Sequence, residues 1–250
     1  MRAAIVGVAI ALSVAGTASA QEWDQYVNTQ DGFKIDFPGQ PKVTETMWKS
    51  EYGYTLPARI YSAQMGGGKY SMTVVDYTGI EEMGLARQKT CPAGAEPCQG
   101  GRPGSPIGPG YSRQDIRGAL VYTTSKFIAR DAKVTHLLWN WEDLVEGNEI
   151  HLTNNADQSR TMAFIAMHHN HLYILEGTVP KGYPEPGLFF QSLGWVDKDG
   201  NGIRYQSIYV NELYGTGELP EPGHGRGGQQ GAPGAQGGQG AAAGAPPANR

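Results

Sequence analysis

Chemistry in this chain would most readily be done by the histidines of His168-His169-Asn170-His171. If His169-Asn170 is a two-residue turn, His168 and His171 face each other across a hairpin. Their Cβ atoms then lie about 5 Å apart on one face, close enough to share a metal ion. A stable site needs at least one further ligand, which His136, His151 or a carboxylate would have to supply. The plainer reading of the same residues is a polar hairpin tip.

Other residues of reactive type fit known site patterns less well. Asp197-Lys198-Asp199-Gly200-Asn201-Gly202 imitates the first half of a calcium loop, but Ile208 stands where a bidentate Glu is needed. Turn chemistry accounts for Asp, Asn and Gly there. Gly66-Gly67-Gly68-Lys69 lacks the Gly and Ser/Thr of a phosphate loop, since Ala63 and Tyr70 hold those positions. It reads as a hairpin connection. The sequence has no G-x-S-x-G elbow and no H-E-x-x-H helix. The adjacent pairs Glu81-Glu82 and Glu142-Asp143 read as solvated surface. Trp139, Trp141, Tyr122, Tyr173 and Tyr205 are aromatic residues for a core, its margin, or a ligand pocket.

Cys91 and Cys98 bracket Pro-Ala-Gly-Ala-Glu-Pro. In an oxidising compartment the expectation is a disulfide, which would stabilise by about 2.5 kcal/mol by closing a short loop. A redox pair normally has two intervening residues, and no nearby His or Cys completes a zinc site. The compartment is indicated by residues 1–20. Arg2, an apolar run from Ala3 to Val14, and Ala18-Ser19-Ala20 make the three parts of a secretory signal peptide. The apolar run is too short for a membrane anchor. A periplasmic or secreted location is expected, with no membrane span in the mature chain.

The net charge of -4 and the scattered basic residues argue against a nucleic-acid partner. Residues 216–250 are almost all Gly, Ala, Pro and Gln and read as a disordered tail. The folded domain is therefore expected over 21–215, with residues 89–111 as a Gly/Pro-rich insertion carrying the cysteines.

Within that domain, Phe33, Ile35 and Phe37 alternate with polar residues as in a half-buried strand. Strands are predicted over 58–63 and 69–77, joined by the glycine turn, and over 134–142, 149–153, 161–168, 171–179 and 203–210. The strands over 161–168 and 171–179 carry apolar residues on both faces, which places them mid-sheet under cover on both sides. A helix is predicted from Ser112 as its cap, with Asp115 three residues on and Ile116, Leu120, Thr124 and Phe127 along one face. A short helix is predicted over 186–194, closed by Gly194. Strand runs interrupted by packed helices indicate an α+β fold, an antiparallel β-sheet flanked by helices.

Trp23-Asp24-Gln25-Tyr26-Val27-Asn28, followed by Gly32-Phe33-Lys34-Ile35-Asp36-Phe37-Pro38-Gly39-Gln40-Pro41, resembles the opening of PsbP-like domains. His171-Leu172-Tyr173-Ile174 and Phe189-Phe190-Gln191-Ser192-Leu193 resemble their closing strand and helix. The resemblance implies an antiparallel sheet flanked by helices, and relatives that act by binding other proteins. It brings no functional residues. The expectation is an exported non-enzymatic binding or accessory protein, with another exported protein or a small ligand as partner and no cofactor. The alternative is an exported hydrolase or metal-dependent enzyme whose site is assembled from distant residues.

Overall fold

The structure is a computed structural model that describes residues 23–90 and 110–209. Residues 1–20, read as a signal peptide, the expected Cys91–Cys98 disulfide and the 216–250 segment lie outside the described residues. The strands are β1 Trp23–Asn28, β2 Phe33–Pro38, β3 Lys42–Lys49, β4 Thr55–Met65 and β5 Gly68–Asp76. Helices α1 Ile80–Lys89 and α2 Gly110–Ile128 follow. Then come β6 Ala132–Glu142, β7 Val145–Asn154, β8 Arg160–His168, β9 His171–Val179, the short helix α3 Gly187–Gln191 and β10 Gly194–Trp195.

All pairings between the described strands are antiparallel. One sheet has three strands in the order β1-β2-β10, and the other has seven in the order β3-β4-β5-β9-β8-β7-β6. The large sheet is two meanders joined where β9 docks beside β5, so their hairpin ends become its edges. The fold is α+β, as the strand runs imply.

The two-faced strands explain the layering. Phe164, Ala166, Tyr173 and Leu175 point into a core shared with Phe33, Ile35 and Phe37 of β2 and with Phe189 and Trp195. Ala163, Ile165, Leu172 and Ile174 point into a second core, under Ile80 of α1 and Ile116, Ala119 and Phe127 of α2. Period-two alternation therefore supplies both interfaces from the same two strands. Gly147 permits the close pairing of β7 on β8, because a Cβ there would lie 2.2 Å from the Ile165 carbonyl oxygen. At the other end of the sheet, Gly66 and Gly67 have φ of 58° and 82°, as the glycine connection between β4 and β5 requires.

Four expectations need correction. Helix α2 begins at Gly110, so Ser112 lies inside it and does not cap it. Asp115 turns inward and accepts hydrogen bonds from Ser50 Oγ and Tyr52 N. Helix α3 ends at Gln191 with Ser192 as its C-cap, and Gly194 belongs to β10. Among the described residues, 203–209 makes no strand; its one isolated bridge is Val145↔Tyr209. That segment is held by Tyr205 and Tyr209 packing against His168, not by a ladder. Strand β3 and helix α1 go unpredicted because neither carries a strong apolar period. Residues 42–47 of β3 are exposed, and α1 buries only Ile80 and Gly84.

Candidate functional site

The hairpin of β8 and β9 places His168 directly opposite His171. His169 and Asn170 take φ of 47° and 59°, the pair of positive values that a two-residue type I′ turn needs. The two rings have different partners. His168 is 2% exposed and lies 4.4 Å from the Trp195 ring, with Nε2 hydrogen-bonded to the Tyr205 hydroxyl at 2.5 Å. Burial, with help from His169 and His171, pushes its pKa down to about 2, so the ring is neutral. His171 Nδ1 lies 2.9 Å from the His169 carbonyl oxygen. A carbonyl only accepts, so Nδ1 is the donor there, and Nε2 is the ring's other nitrogen. That nitrogen lies 3.9 Å from Asp76 Oδ1.

The other histidines named as ligands have partners of their own. His136 and His151 pack at 5.3 Å on β6 and β7, and His151 Nε2 meets Glu149 Oε1 at 2.5 Å. Among the described residues, no three His, Cys, Asp or Glu side chains are grouped to hold a metal.

Beside the histidine turn sits a buried ionic cluster that sequence reasoning missed. Asp31, in the turn between β1 and β2, has a fully buried side chain. Arg59 of β4 grips both carboxylate oxygens, with Nε 2.8 Å from Oδ2 and Nη2 on Oδ1. The Tyr61 hydroxyl donates to Oδ2 at 2.5 Å, and Asn28 Nδ2 donates to that hydroxyl at 3.0 Å. The Tyr173 hydroxyl donates to the Asp31 carbonyl at 2.6 Å. Burial raises the Tyr61 pKa, and the Asp31 carboxylate adds to the effect, so this hydroxyl stays a neutral donor. The small sheet is thereby fastened to β4 and β9. Asp31-Gly32 could be read from sequence only as turn chemistry, because Arg59 and Tyr61 lie about thirty residues away.

Two open hollows flank this cluster. The larger, of about 340 Å³, is lined by Glu45, Met47, Pro57, Arg59, Val74 and Asp76. The smaller, of about 190 Å³, is bounded by the 29–32 turn, the histidine turn, Tyr173 and Lys198. Asp76 of the larger faces His171 of the smaller at 3.9 Å. Asp76 Oδ1 accepts from Thr78 N at 2.8 Å and Thr78 Oγ1 at 2.5 Å. Burial acts to raise its pKa, but the Thr78 bonds, then His171 and Arg59, hold it below the usual range. The groove thus presents an anion at Asp76, a cation fork at Arg59 and the His171 imidazole, each fixed by a neighbour.

The remaining sequence candidates resolve individually. Asp197 Oδ1 accepts from the backbone of Asp199 and Asn201, and Gly200 has a φ of 85°, so that segment is an Asx-type turn. Tyr173 is core, whereas Trp139 and Trp141 are 50% and 43% exposed on β6. Glu142, expected to be solvated, is half-buried. Burial, then the Glu149 and Asp143 charges, raises its pKa to about 7.

No protein-family model matches the sequence. Comparison with curated proteins gives no match. Among solved structures, the chain is similar to the solution structure of cyanobacterial PsbP (CyanoP) from Synechocystis sp. PCC 6803, at 9% identity and a TM-score of 0.38, covering 74% of this chain and 98% of that one. A score of that size transfers neither partner nor residue role; the antiparallel α+β architecture stands on the strand pairings alone.

Proposed function

We propose that this chain is an exported, non-enzymatic binding or accessory protein, acting in the periplasm or outside the cell. It takes a small ligand or a segment of another exported protein into the groove across β3, β4 and β5. The observation that carries this reading is the open groove of about 340 Å³ with Met47 at its margin and Arg59 and Asp76 held in place by Asp31 and Thr78. That volume is within the usual range for ligand clefts, and polar groups fixed before binding lose little entropy when they engage a partner. The signal-peptide pattern of residues 1–20 supports the location.

The test is recovery from the native envelope with the mature chain as bait, beside Met47→Asp and Glu45→Lys variants. Met47 is 59% exposed, so the first change leaves the core intact. One bound species, recovered by the parent and lost with both variants, is the expected result. Equal recovery by all three refutes the groove as the binding site. The metal-dependent alternative is favoured by one observation, His171 Nε2 facing Asp76 at 3.9 Å. It predicts a saturable rise in melting temperature with zinc or copper that His171→Ala abolishes, whereas the binding-protein reading predicts none.

A further inference from the structure

The two edges of the seven-stranded sheet are built differently. Edge strand β3 carries Lys42, Glu45 and Lys49 along its eight residues, the usual protection against strand addition. Edge strand β6 has over residues 136–141 the run His-Leu-Leu-Trp-Asn-Trp, without an acid, a lysine, an arginine or a proline. No described strand pairs with its outer side. Leu137, Trp139 and Trp141 are 49%, 50% and 43% exposed on the face where α2 covers the neighbouring strands but leaves these side chains open. An uncharged, aromatic edge of this kind invites another strand.

The ends of the regular edge are fixed by the fold. A β-bulge between Val134 and His136 breaks it on one side, and the positive-φ turn at Asp143 and Leu144 ends it on the other. The segment 136–142 that remains has its midpoint at Trp139. Antiparallel pairing with a second copy about that midpoint sets Trp139 against its own mate and Leu137 against Trp141 on the exposed face. On the opposite face it sets Leu138 against Asn140 and His136 against Glu142. On the exposed face apolar residues meet apolar residues; on the other, Leu138 meets an amide and the His136 imidazole meets the Glu142 carboxyl. Moving the two-fold axis to Leu138 would instead set Trp141 against Thr135 and His136 against Asn140.

We propose that β6 is a homodimer edge, at which two copies of this chain pair antiparallel about Trp139 to make one continuous sheet. The contact is isologous, so it closes at two copies rather than propagating. It lies at the opposite edge of the large sheet from the groove and does not depend on what the groove binds.

Sedimentation velocity on the mature chain at tens-of-micromolar concentration should give twice the chain mass. Trp139→Lys, which sets two ammonium groups against each other at the axis, should give the single mass with an unchanged circular dichroism spectrum. In addition, Trp139→Cys should form an intersubunit disulfide under mild oxidation, because paired strands bring facing Cα atoms within about 4.5–5.5 Å. Thr135→Cys should not, since its mate would lie about 27 Å along the strands at ~3.4 Å per residue. A monomeric parent, a dimer unchanged by Trp139→Lys, or equal cross-linking of the two cysteine variants overturns the proposal.

Discussion

Replacing Asp31 by Ala should destabilise the domain by about 3 kcal/mol, at the lower end of the ~3–5 kcal/mol lost when one member of a buried ion pair is removed. The Asp31 side chain is fully buried and accepts from Arg59 Nε, Arg59 Nη2 and the Tyr61 hydroxyl. Deleting it leaves a guanidinium and a phenol without their acceptor. Arg59 keeps 22% of its side chain exposed and can recover part of its hydration, which argues for the lower end. For a domain of this length the loss corresponds to a fall of roughly 6–12 °C in melting temperature, at ~2–4 °C per kcal/mol. Urea denaturation followed by circular dichroism measures it. Asp31→Asn should fall between parent and Ala variant, because an amide oxygen still accepts from Tyr61. Because the carboxylate is buried, the difference should persist in high salt, where a surface pair would be screened. A loss below about 1 kcal/mol, or one that vanishes with salt, would show that the pair behaves like an exposed one and refute the reasoning. The same variant frees Arg59 and should weaken whatever the groove binds.

Three further outcomes follow from the packing and titration. Gly147→Ala should cost about 2–3 kcal/mol or abolish folding, because its Cβ would press on the Ile165 carbonyl; Gly187→Ala, with open space around it, is the control and should change little. His168 resists protonation in the fold, with its pKa pushed to about 2, while the unfolded chain takes a proton near the ordinary value of about 6.5. Stability is therefore lost as pH falls below about 6.5, so the melting-temperature gap between parent and His168→Gln should narrow from pH 7 to pH 4; parallel curves would refute it. Glu142 has the opposite sign: its pKa of about 7 means the fold favours the acid form. Parent stability should drop relative to Glu142→Gln as pH rises from about 4.5 to about 7.5, read in the same melting series.

Much of the fold was determined locally. Alternation of Phe33, Ile35 and Phe37 fixed β2, and two-faced apolar patterning fixed β8 and β9 as central strands between two cores. His169-Asn170 is a turn because both residues tolerate positive φ between strands, and that alone put His168 opposite His171. Where those rings go was decided by tertiary structure, because Trp195 and Tyr205 cover one and Asp76 faces the other from β5. Edge strand β3 has no buried face to impose a period, so no pattern announces it. The groove was equally illegible: Asp31, Arg59, Tyr61 and Tyr173 are scattered along the sequence and meet only through strand pairing and sheet stacking. Sequence by itself thus set the strand faces and the turns, which depend on neighbours a few residues away. The tertiary structure decided which polar side chains converge and which are buried, since both depend on contacts between segments that only the completed sheets bring together.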